Sequence, residues 1–537
     1  MASDDNLQRI DWQILLRGLL GAAIIVLVLF VLHWLRQRNT DERDEEAKLG
    51  TARRVLEEPA STLPIFKNTL DFVRHEDHLH DWICEQCERF DGRPWTFKVL
   101  GQPRTIVFSD PQAFEEILKT HFWSFEKGEG LHEILFDMMG DGIFAVDGET
   151  WTMQRKTASH LFTHRELRDT MAAVIQGHTA TLCQVLDRFA DDKKQFDLFA
   201  LLNKFTMGAF CEIGFGVDVN YLEDENATHP FQVAFDRAQQ VTRLRMNRPR
   251  WLGKLQRLLN LGAERTLRAD MPVIDDMVYK IIRESLQAQK NPSLATQKKT
   301  IVSLFLDDPV KLPSETEAHP VDAKFLRDIV LGFLLAGRDT TAQTMSWLFL
   351  CLSENPDVEA KLRHELEQKL PETVGAGTEV AALDQLQSLV YLDAVLHETL
   401  RLNPPVAFNW KIAVRDCVLS DGTLVPNGTY AAFPSYALGR MTRVWGDDAK
   451  QFKPERWIDP ETGSVRVESS FKFIAFHAGP RQCLGKNLAM MEMKIVVATL
   501  LSRFQIQVAK RKAGEVKYGM SLTFPMNTPL LTRVKRK

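Results

Sequence analysis

The chain has 537 residues, enough to bury a large core and to form two or three domains of ordinary size. Its 67 basic and 71 acidic residues give a net charge of −4, and this balance argues against nucleic acid as a partner. The seven cysteines are scattered and odd in number, which is unlike a disulfide framework and favours a main domain exposed to the cytosol.

An uncharged apolar segment near the N-terminus predicts a single-pass membrane anchor. It comprises the 18 residues between Arg17 and Arg36, and a helix of that length is about 27 Å long, close to the thickness of the hydrocarbon core. The acidic residues in front of it do not suit a cleaved signal peptide, and the arginines after it favour a cytosolic C-terminal side. We therefore predict an anchor over residues 1–35, a charged linker over 36–58 and one large domain over 59–537.

The first part of the large domain predicts a hairpin and a helix. Residues 95–100 and 105–108 are rich in strand-forming side chains, and Gly101-Gln-Pro103 between them is a turn signal. Asp110-Pro111 then predicts the start of a helix that ends near Thr120, because aspartate caps a helix and proline suits its first turn.

Trp151 and Arg155 stand four residues apart, so they share one face of a predicted helix. By itself, a packed tryptophan beside a surface arginine is the simplest interpretation of this pair. Contact of both side chains with a ligand is the other interpretation, and it needs support from elsewhere in the chain.

Residues 243–268 form a strongly basic stretch. It contains eight arginines and lysines against one acid, Glu264, with leucines and Trp251 interleaved. A basic amphipathic stretch of this kind either lies on an anionic membrane surface or forms a solvated basic face. The pattern alone does not decide between the two.

Residues 325–351 predict a long central helix. The run 329–337 is apolar on every side, as in a buried helix, and Arg338 and Asp339 follow too early for a membrane span. After residue 405, short apolar runs alternate with turn signals such as Asp421-Gly422, which predicts short strands and hairpins. The large domain is therefore predicted to be mainly α with small β-sheets.

The stretch Phe476-His-Ala-Gly-Pro-Arg-Gln-Cys-Leu-Gly485 predicts a reactive cysteine. Cys483 precedes an amphipathic helix, and a helix N-terminus favours the thiolate form of a cysteine. Arg481 can pair with an acidic group of a ligand. A thiolate beneath a planar, anionic macrocycle is how haem-thiolate enzymes hold iron, whereas a buried cysteine in a glycine-rich turn is the structural alternative.

This stretch resembles the haem-binding signature of the cytochrome P-450 family, Phe-x-x-Gly-x-Arg-x-Cys-x-Gly, with every fixed position present. The resemblance implies the cytochrome P-450 fold and one haem b (iron protoporphyrin IX) bound through an axial thiolate from Cys483. It also implies that Phe476, Gly479, Arg481 and Gly485 belong to the cofactor site. The similarity extends over residues 60–537.

Ala336-Gly-Arg-Asp-Thr-Thr341 resembles the oxygen-activation motif of the same family. The resemblance implies that Gly337 leaves room in the haem pocket, that Thr340 holds dioxygen and water by hydrogen bonds, and that Asp339 delivers protons. A threonine that only bonds its own helix is the alternative interpretation of Thr340.

Two further motifs match the family in order. The resemblance implies that Trp151 and Arg155 lie against a haem propionate. Glu398 and Arg401 are the first and last residues of the stretch Glu-Thr-Leu-Arg, and this spacing places them on one helix face. The pair resembles the first part of a Glu-Arg-Arg cluster that Arg456 completes. In the family this cluster has a structural role rather than a catalytic one.

The resemblance implies a monooxygenase that inserts one oxygen atom of O2 into a C–H bond. Its electrons would come from NADPH through a cytochrome reductase, with cytochrome b5 as an additional partner. The implied location is the endoplasmic reticulum membrane, with the catalytic domain facing the cytosol. A membrane haem protein that does not oxygenate is an alternative, and the acid–alcohol pair Asp339–Thr340 argues against it.

Residues 142–148, 259–262 and 436–440 resemble the long-chain fatty-acid ω-hydroxylase clans of the family. This resemblance implies terminal hydroxylation of a long-chain fatty acid in an apolar channel with one polar clamp near its mouth. The residues predicted to contact the substrate are Phe333, Val406, Phe408 and Phe524, with Leu334, Leu335, Ala407 and Leu522 as neighbours in the same constriction.

The identity of the polar clamp and the class of substrate stay open. Arg243, Arg245 and Arg248 are candidates for the polar clamp on charge alone. Animal ω-hydroxylases carry glutamate where Ala336 stands, so an ester link to haem at that position is excluded for this chain. A sterol, terpenoid or other secondary-metabolite hydroxylase of the same fold is the alternative function.

Overall fold

The computed structural model describes residues 55–222, 229–290, 299–307, 322–374, 380–509 and 516–537. The predicted anchor over 1–35 and the linker up to residue 54 lie outside these residues. Among the described residues, the segment Leu198–Phe215 is long and apolar enough to cross a membrane, but 83% of it is buried inside the protein. This segment is therefore a core helix of the domain.

The described part of the chain is mainly helical, as the sequence predicts. Short π-helical turns extend the third helix to Thr120 and the sixth to Met171. In chain order the helices are α1 (Thr69–Arg74), α2 (Leu79–Arg89), α3 (Pro111–Glu115), α4 (Gly128–Met139), α5 (Gly148–Ser159), α6 (His164–Glu166), α7 (Ala172–Asp192), α8 (Leu198–Phe215), α9 (Pro230–Asn247), α10 (Arg250–Leu258), α11 (Gly262–Lys290), α12 (Ile301–Asp307), α13 (Ala323–Glu354), α14 (Pro356–Lys369), α15 (Val390–Leu402), α16 (Ser435–Leu438), α17 (Thr442–Trp445) and α18 (Lys486–Arg503).

The described strands form small sheets. They are β1 (Trp95–Phe97), β2 (Thr105–Val107), β3 (Phe125–Glu126), β4 (Phe196–Asp197), β5 (Asn409–Ala413), β6 (Cys417–Val418), β7 (Leu424–Val425), β8 (Tyr430–Phe433), β9 (Phe504–Val508) and β10 (Leu531–Arg536). The largest sheet has the order β1-β2-β8-β5-β3, and two smaller ones have the orders β4-β10-β9 and β6-β7. In the largest sheet, β2 and β8 run parallel, so two strands far apart in the sequence pair there.

The predicted early elements are present. In the hairpin of β1 and β2, Trp95 lies opposite Val107. The Asp110 carboxylate accepts a hydrogen bond from the Gln112 N–H at 2.8 Å and so caps α3. The chain joins the fold slightly before residue 59, because the Thr96 N–H donates to the Glu57 carbonyl oxygen at 2.9 Å.

Helix α13 runs through the centre of the domain. Its 32 residues make it about 48 Å long, and it extends the predicted helix by a few residues at each end. The Asp322 carboxylate caps its N-terminus by accepting from the Lys324 N–H at 3.0 Å. Most of its residues are buried, which explains why its central sequence is apolar on all sides.

A buried ion cluster joins α15 to the segment that follows α17. The Glu398 carboxylate accepts from Arg401 Nε at 2.7 Å, from Arg456 Nε at 2.9 Å and from Trp457 Nε1 at 2.9 Å. Arg401 also donates to the carbonyl oxygens of Gly439, Ala449 and Gln451. Since nearly every donor of this cluster has an acceptor within the protein, its geometry suits the predicted structural role.

Candidate active site

A cavity of about 440 Å³ lies at the centre of the domain, within the range of small-molecule sites. Its wall is mostly apolar and includes residues from Phe72 to Thr523, so segments that are far apart in the chain contribute to it. The charged side chains in the wall are Lys127, Arg155, Arg243, Arg481 and Glu492.

Cys483 lies in the cavity wall, three residues before α18 begins. Its N–H donates to the Phe476 carbonyl oxygen at 2.8 Å, which closes the loop that carries the thiol. Gly479 has φ +66°, and a Cβ there would overlap the Leu118 carbonyl, so only glycine fits this turn. Phe476 and Gly485 also line the cavity, and Cys483 is exposed to this enclosed cavity although protein atoms surround it.

The protonation of Cys483 is set by opposing influences. Burial raises the pKa of its thiol above the ordinary value, whereas the hydrogen bond from the Gly485 backbone and the charges of Arg155 and Lys486 lower it. Burial has the larger effect, so the helix N-terminus alone does not produce the thiolate that the sequence predicts. A coordinated metal ion would deprotonate the thiol outright.

The predicted pair Trp151 and Arg155 lies in the wall of the same cavity, on α5. The guanidinium of Arg481 lies 4.4 Å from the centroid of the Trp151 ring, and that of Arg155 lies 5.9 Å from it. Arg481 Nη2 donates to Asp147 Oδ1 at 2.5 Å, but its buried Nε has no partner among the described residues. The structure therefore brings together two motifs, the Trp151–Arg155 pair and the loop of Arg481, that are more than 300 residues apart in the sequence.

Two lysines near this group were not identified from the sequence. Lys127 lines the cavity and donates to Asn409 Oδ1 at 3.2 Å, and burial beside Arg481 lowers its pKa to about 8. Lys411 is buried, its Nζ has no hydrogen-bond partner within the described part of the chain, and it lies 4.7 Å from the Phe122 ring centroid. Neither lysine stands in a recognisable motif. The one signal in the sequence was the position of Lys411 within a predicted strand, where a lysine on the inner face is unusual.

These residues fit a haem. A thiol faces the cavity, and Lys127, Arg155 and Arg481 supply positive charge next to it with donors left over, as a macrocycle with two carboxylates requires. The one acid in the described cavity wall, Glu492, does not oppose this charge, because burial raises its pKa to about 8 and keeps it protonated at neutral pH. Cys483 would hold the iron, and the three cations would meet the carboxylates.

Thr340 lies in the cavity wall, on α13. Its hydroxyl donates to the Ala336 carbonyl oxygen at 2.8 Å, the intrahelical bond named above as the alternative interpretation. Because that bond uses only the proton, the oxygen lone pairs stay available to a ligand or water in the cavity. Gly337 and Ala336 line the cavity as well, and a Cβ at Gly337 would overlap the ring of Phe210.

Asp339 is buried and does not line the cavity. Its carboxylate accepts from Gln239 Nε2 at 2.7 Å and pairs with Arg338 Nη1 at 3.1 Å. Arg338 in turn pairs at 2.7 Å with Asp236, whose side chain is 53% exposed. Burial raises the pKa of Asp339 to about 6, against the influence of Arg338.

A polar connection leads from Asp339 to the cavity. The Ser521 hydroxyl, which lines the cavity, donates to Gln239 Oε1 at 3.5 Å, while Gln239 Nε2 donates to Asp339. Together with the Arg338–Asp236 pair, this gives a chain of polar groups from the protein surface to the cavity. The sequence did not indicate Gln239 or Ser521, because neither stands in a motif.

Most of the predicted substrate residues line the cavity, but two do not. Phe333, Val406 and Phe408 belong to its wall, together with Leu335, Ala407 and Leu522. Phe524 lies instead in the core, where its ring centroid is 4.7 Å from that of Tyr518 and its carbonyl oxygen accepts from Trp347 Nε1. Leu334 is likewise buried in the core. Leu334 and Phe524 thus point away from the cavity although their sequence neighbours line it.

The three arginines considered for the polar clamp have different surroundings. Arg243 lines the cavity. Arg245 is buried in ion pairs with Glu264 at 2.5 Å and Asp137 at 2.6 Å, and so connects α9 to α11 and α4. Arg248 is half-buried and lines no part of the cavity. Only Arg243 can therefore reach a ligand in the cavity.

The apolar side chains of the basic stretch are partly on the surface. On α10, Trp251 is 60% and Leu258 is 81% exposed. A second exposed apolar group lies on and before α1, with Leu70 and Phe66 about half exposed. Gly101 links the two, because the position of a Cβ at this residue is 3.6 Å from Trp251 Cδ1 while the Leu100 N–H donates to Thr69 Oγ1. We call these surfaces of α1 and α10 the apolar rim.

Comparison with known proteins agrees with this geometry. The family model Cytochrome P450 matches residues 58–532. The chain is 35% identical to Cytochrome P450 94B3 of Arabidopsis thaliana over 525 residues, which cover 97% of this chain and 98% of the relative. It is also 35% identical to Cytochrome P450 704C1 of Pinus taeda, over 86% of this chain and 90% of that protein. The chain therefore belongs to the cytochrome P450 family of haem-thiolate monooxygenases.

Proposed function

We propose that this cytochrome P450 hydroxylates a long-chain fatty acid at or near its terminal methyl group. The proposal rests on the three stretches that resemble the ω-hydroxylase clans and on the form of the cavity. The observation that carries it is a mostly apolar cavity wall that contains a cation, Arg243, in addition to the three that a haem would use. An amphiphile with one negative end and a long apolar body matches such a cavity.

Selectivity for the chain end requires a constriction. A terminal C–H bond is the hardest on the chain to oxidise, so the protein must present this carbon and withhold its neighbours. Phe333 and Leu335 on α13, together with Val406 and Phe408 after α15, are the bulky side chains of the wall that carries Thr340. We infer that they restrict the access of the chain to its last carbons.

When bound through Cys483, the haem supplies the oxidising chemistry that inserts one atom of O2 into a C–H bond. The residues of the chain manage the protons. Asp339, with a pKa of about 6, can release and regain a proton near neutral pH. Gln239 and Ser521 connect it to the cavity, and the free lone pairs of Thr340 can orient water there.

The proposed setting is the endoplasmic reticulum membrane. The predicted anchor over residues 1–35 would hold the chain there, with the catalytic domain in the cytosol. The apolar rim, flanked by the basic residues of α10, suits contact with an anionic lipid surface. The electrons would come from NADPH through a cytochrome reductase, with cytochrome b5 as an additional donor.

Product analysis tests this function. Full-length protein, a reductase and NADPH would be incubated with C12 to C18 fatty acids, and the products would be mapped by mass spectrometry. We expect hydroxylation at the chain end and, in Phe408→Ala, a shift towards inner carbons. Phe524→Ala is the matched control, because this phenylalanine lies outside the cavity wall and should not change the position of hydroxylation. Turnover of a sterol or terpene with no turnover of any acid would overturn the proposal.

A further inference from the structure

The cavity wall contains an arginine, Arg243, that has no counter-ion among the residues that the structure describes. Arg243, on α9, is only 8% exposed and lines the cavity. Its Nη1 donates to Asn247 Oδ1 at 2.6 Å, but no carboxylate of the described residues lies within 4.0 Å of it. A buried guanidinium without an acidic partner is costly, so this position favours a ligand that brings a negative charge.

Its neighbours in sequence do not share this property. Arg245, two residues later, is neutralised by Glu264 and Asp137. Arg248 lies outside the cavity wall. The contrast indicates that the open donors of Arg243 are a feature of the cavity rather than of the basic stretch in general.

Arg243 is also separate from the cations that fit the haem carboxylates. Arg481 lowers the pKa of Lys127, and Arg155 acts on both Arg481 and Cys483. The pKa of Arg243 is lowered to about 10 by burial, and the negative charge of Glu76 opposes this change. Arg243 lies on α9 and hydrogen-bonds within that helix, and none of the three cations assigned to the haem is among the groups that shift its pKa.

Two further hydrogen-bond donors adjoin Arg243. A guanidinium can only donate, so Asn247 must turn its oxygen towards Arg243, and its Nδ2 group stays free to donate. His80, on α2, lines the same cavity and is within electrostatic reach of Arg243. Burial and Arg243 lower the pKa of His80 to about 3, so its ring is neutral and carries one N–H donor.

We propose that Arg243, together with Asn247 and His80, forms a binding site for the carboxylate of the substrate. This inference rests on the proposed function, and it names the residues that distinguish an acid from an ester or alcohol of the same length. Two nitrogen donors of a guanidinium match the two oxygens of a carboxylate, and the amide and imidazole N–H groups complete the shell.

Binding of an acid and of its neutral analogue provides the test. Full-length, haem-loaded protein would be titrated with palmitic acid and with methyl palmitate, and the dissociation constants would be taken from the substrate-induced spectral change. Thermal unfolding with and without each ligand gives a second measure that does not depend on turnover. We expect the wild-type protein to bind the acid more tightly than the ester.

In Arg243→Met, affinity for palmitic acid should fall about ten- to hundred-fold, as expected for loss of hydrogen bonds to a charged group, while affinity for the ester stays the same. Arg248→Met is the matched control, which removes a nearby charge that does not face the cavity, and should alter neither constant. Asn247→Asp keeps Arg243 in place but gives it a carboxylate partner within the protein. This variant should therefore also weaken the binding of palmitic acid and leave that of the ester unchanged.

Equal loss of acid and ester affinity, or unchanged acid affinity in both Arg243→Met and Asn247→Asp, would overturn the carboxylate site. The proposed reaction fails separately. If the preference for the acid disappears in Arg243→Met but the wild-type protein forms no hydroxylated palmitate, the carboxylate site is supported and the proposed function is not.

Discussion

The ring of Phe210, on α8, packs directly against the backbone of Gly337 in the central helix α13. A Cβ at residue 337 would overlap this ring, so the two helices can approach each other at this point only because the residue is glycine. The contact lies two residues before Asp339 and three before Thr340. The glycine of the oxygen-activation motif thus has a packing role in addition to the room it leaves in the cavity.

Gly337→Ala should therefore displace Phe210 and destabilise the protein by about 1–3 kcal/mol, the usual cost of overpacking a core. The melting temperature should fall, and the double variant Gly337→Ala/Phe210→Ala should recover part of the loss. Gly332→Ala is the control on the same helix, because its Cβ would meet Phe144 at an ordinary 3.5 Å. A melting temperature equal to that of the wild type in Gly337→Ala would contradict this packing.

Cys483→Ser should abolish the thiolate-type absorption of the reduced, carbon-monoxide-bound protein, because serine cannot supply a thiolate to iron. The spectrum after reduction and exposure to carbon monoxide measures this directly. Cys351→Ser is the control, since this cysteine lies outside the cavity wall. A normal thiolate spectrum in Cys483→Ser would refute the assignment of the iron ligand.

Thr340→Ala and Asp339→Asn should bind haem normally but lose coupling between NADPH oxidation and product formation. Both changes disturb proton delivery and leave the Cys483 loop intact, so reduced cofactor should be consumed with release of peroxide. Product formed per NADPH oxidised is the quantity to measure. Ser346→Ala removes another intrahelical hydroxyl bond of α13 and should keep the wild-type ratio. The same ratio in all variants would exclude the proton-delivery role.

Glu398→Gln should destabilise the domain by about 3–5 kcal/mol, because it leaves the buried Arg401 and Arg456 without their shared counter-ion. Denaturant or thermal unfolding measures the loss, which should be accompanied by poor haem loading. Glu455→Gln breaks a more exposed pair with Lys361 and should cost only about 0–1 kcal/mol. Similar losses in the two variants would argue against the structural role of the cluster.

Glu492 should make the stability of the protein fall as the pH rises. Burial raises its pKa in the folded state from 4.5 to about 8, so between these values the folded protein retains a proton that the unfolded chain releases. The contribution is complete below pH 4.5 and is lost towards pH 8. Glu492→Gln cannot ionise, and its free energy of unfolding should decline less over this range. Parallel curves for the two proteins would disprove the effect.

The sequence predicts those parts of the site that are set by local spacing. Trp151 and Arg155 share a helical face because they are four residues apart, and Cys483 precedes a helix because an apolar pattern follows it. The sequence could not predict the position of Lys127, because it meets Asn409 only through the pairing of β3 with β5. Formation of that sheet depends on contacts across about 280 residues.

The direction of individual side chains is the other feature of the site that the sequence does not predict. Phe524 and Leu522 are equally apolar, yet only Leu522 lines the cavity. Arg243 and Arg245 carry the same charge, but Arg245 meets Glu264 while Arg243 meets no acid in the described part of the chain. In both cases the residues that determine the surroundings of the side chain come from distant elements. Composition and periodicity therefore cannot predict which of the two residues lines the cavity.

The parallel pairing of β2 with β8 has a consequence for how the protein is made. Thr105 pairs with Tyr430, and the cavity wall runs from Phe72 to Thr523, so neither the sheet nor the cavity is complete until almost the entire chain has left the ribosome. Contacts between such distant residues form slowly. The haem site therefore closes late in synthesis, and we expect a chain interrupted before Cys483 to expose its apolar cavity wall to aggregation and proteolysis.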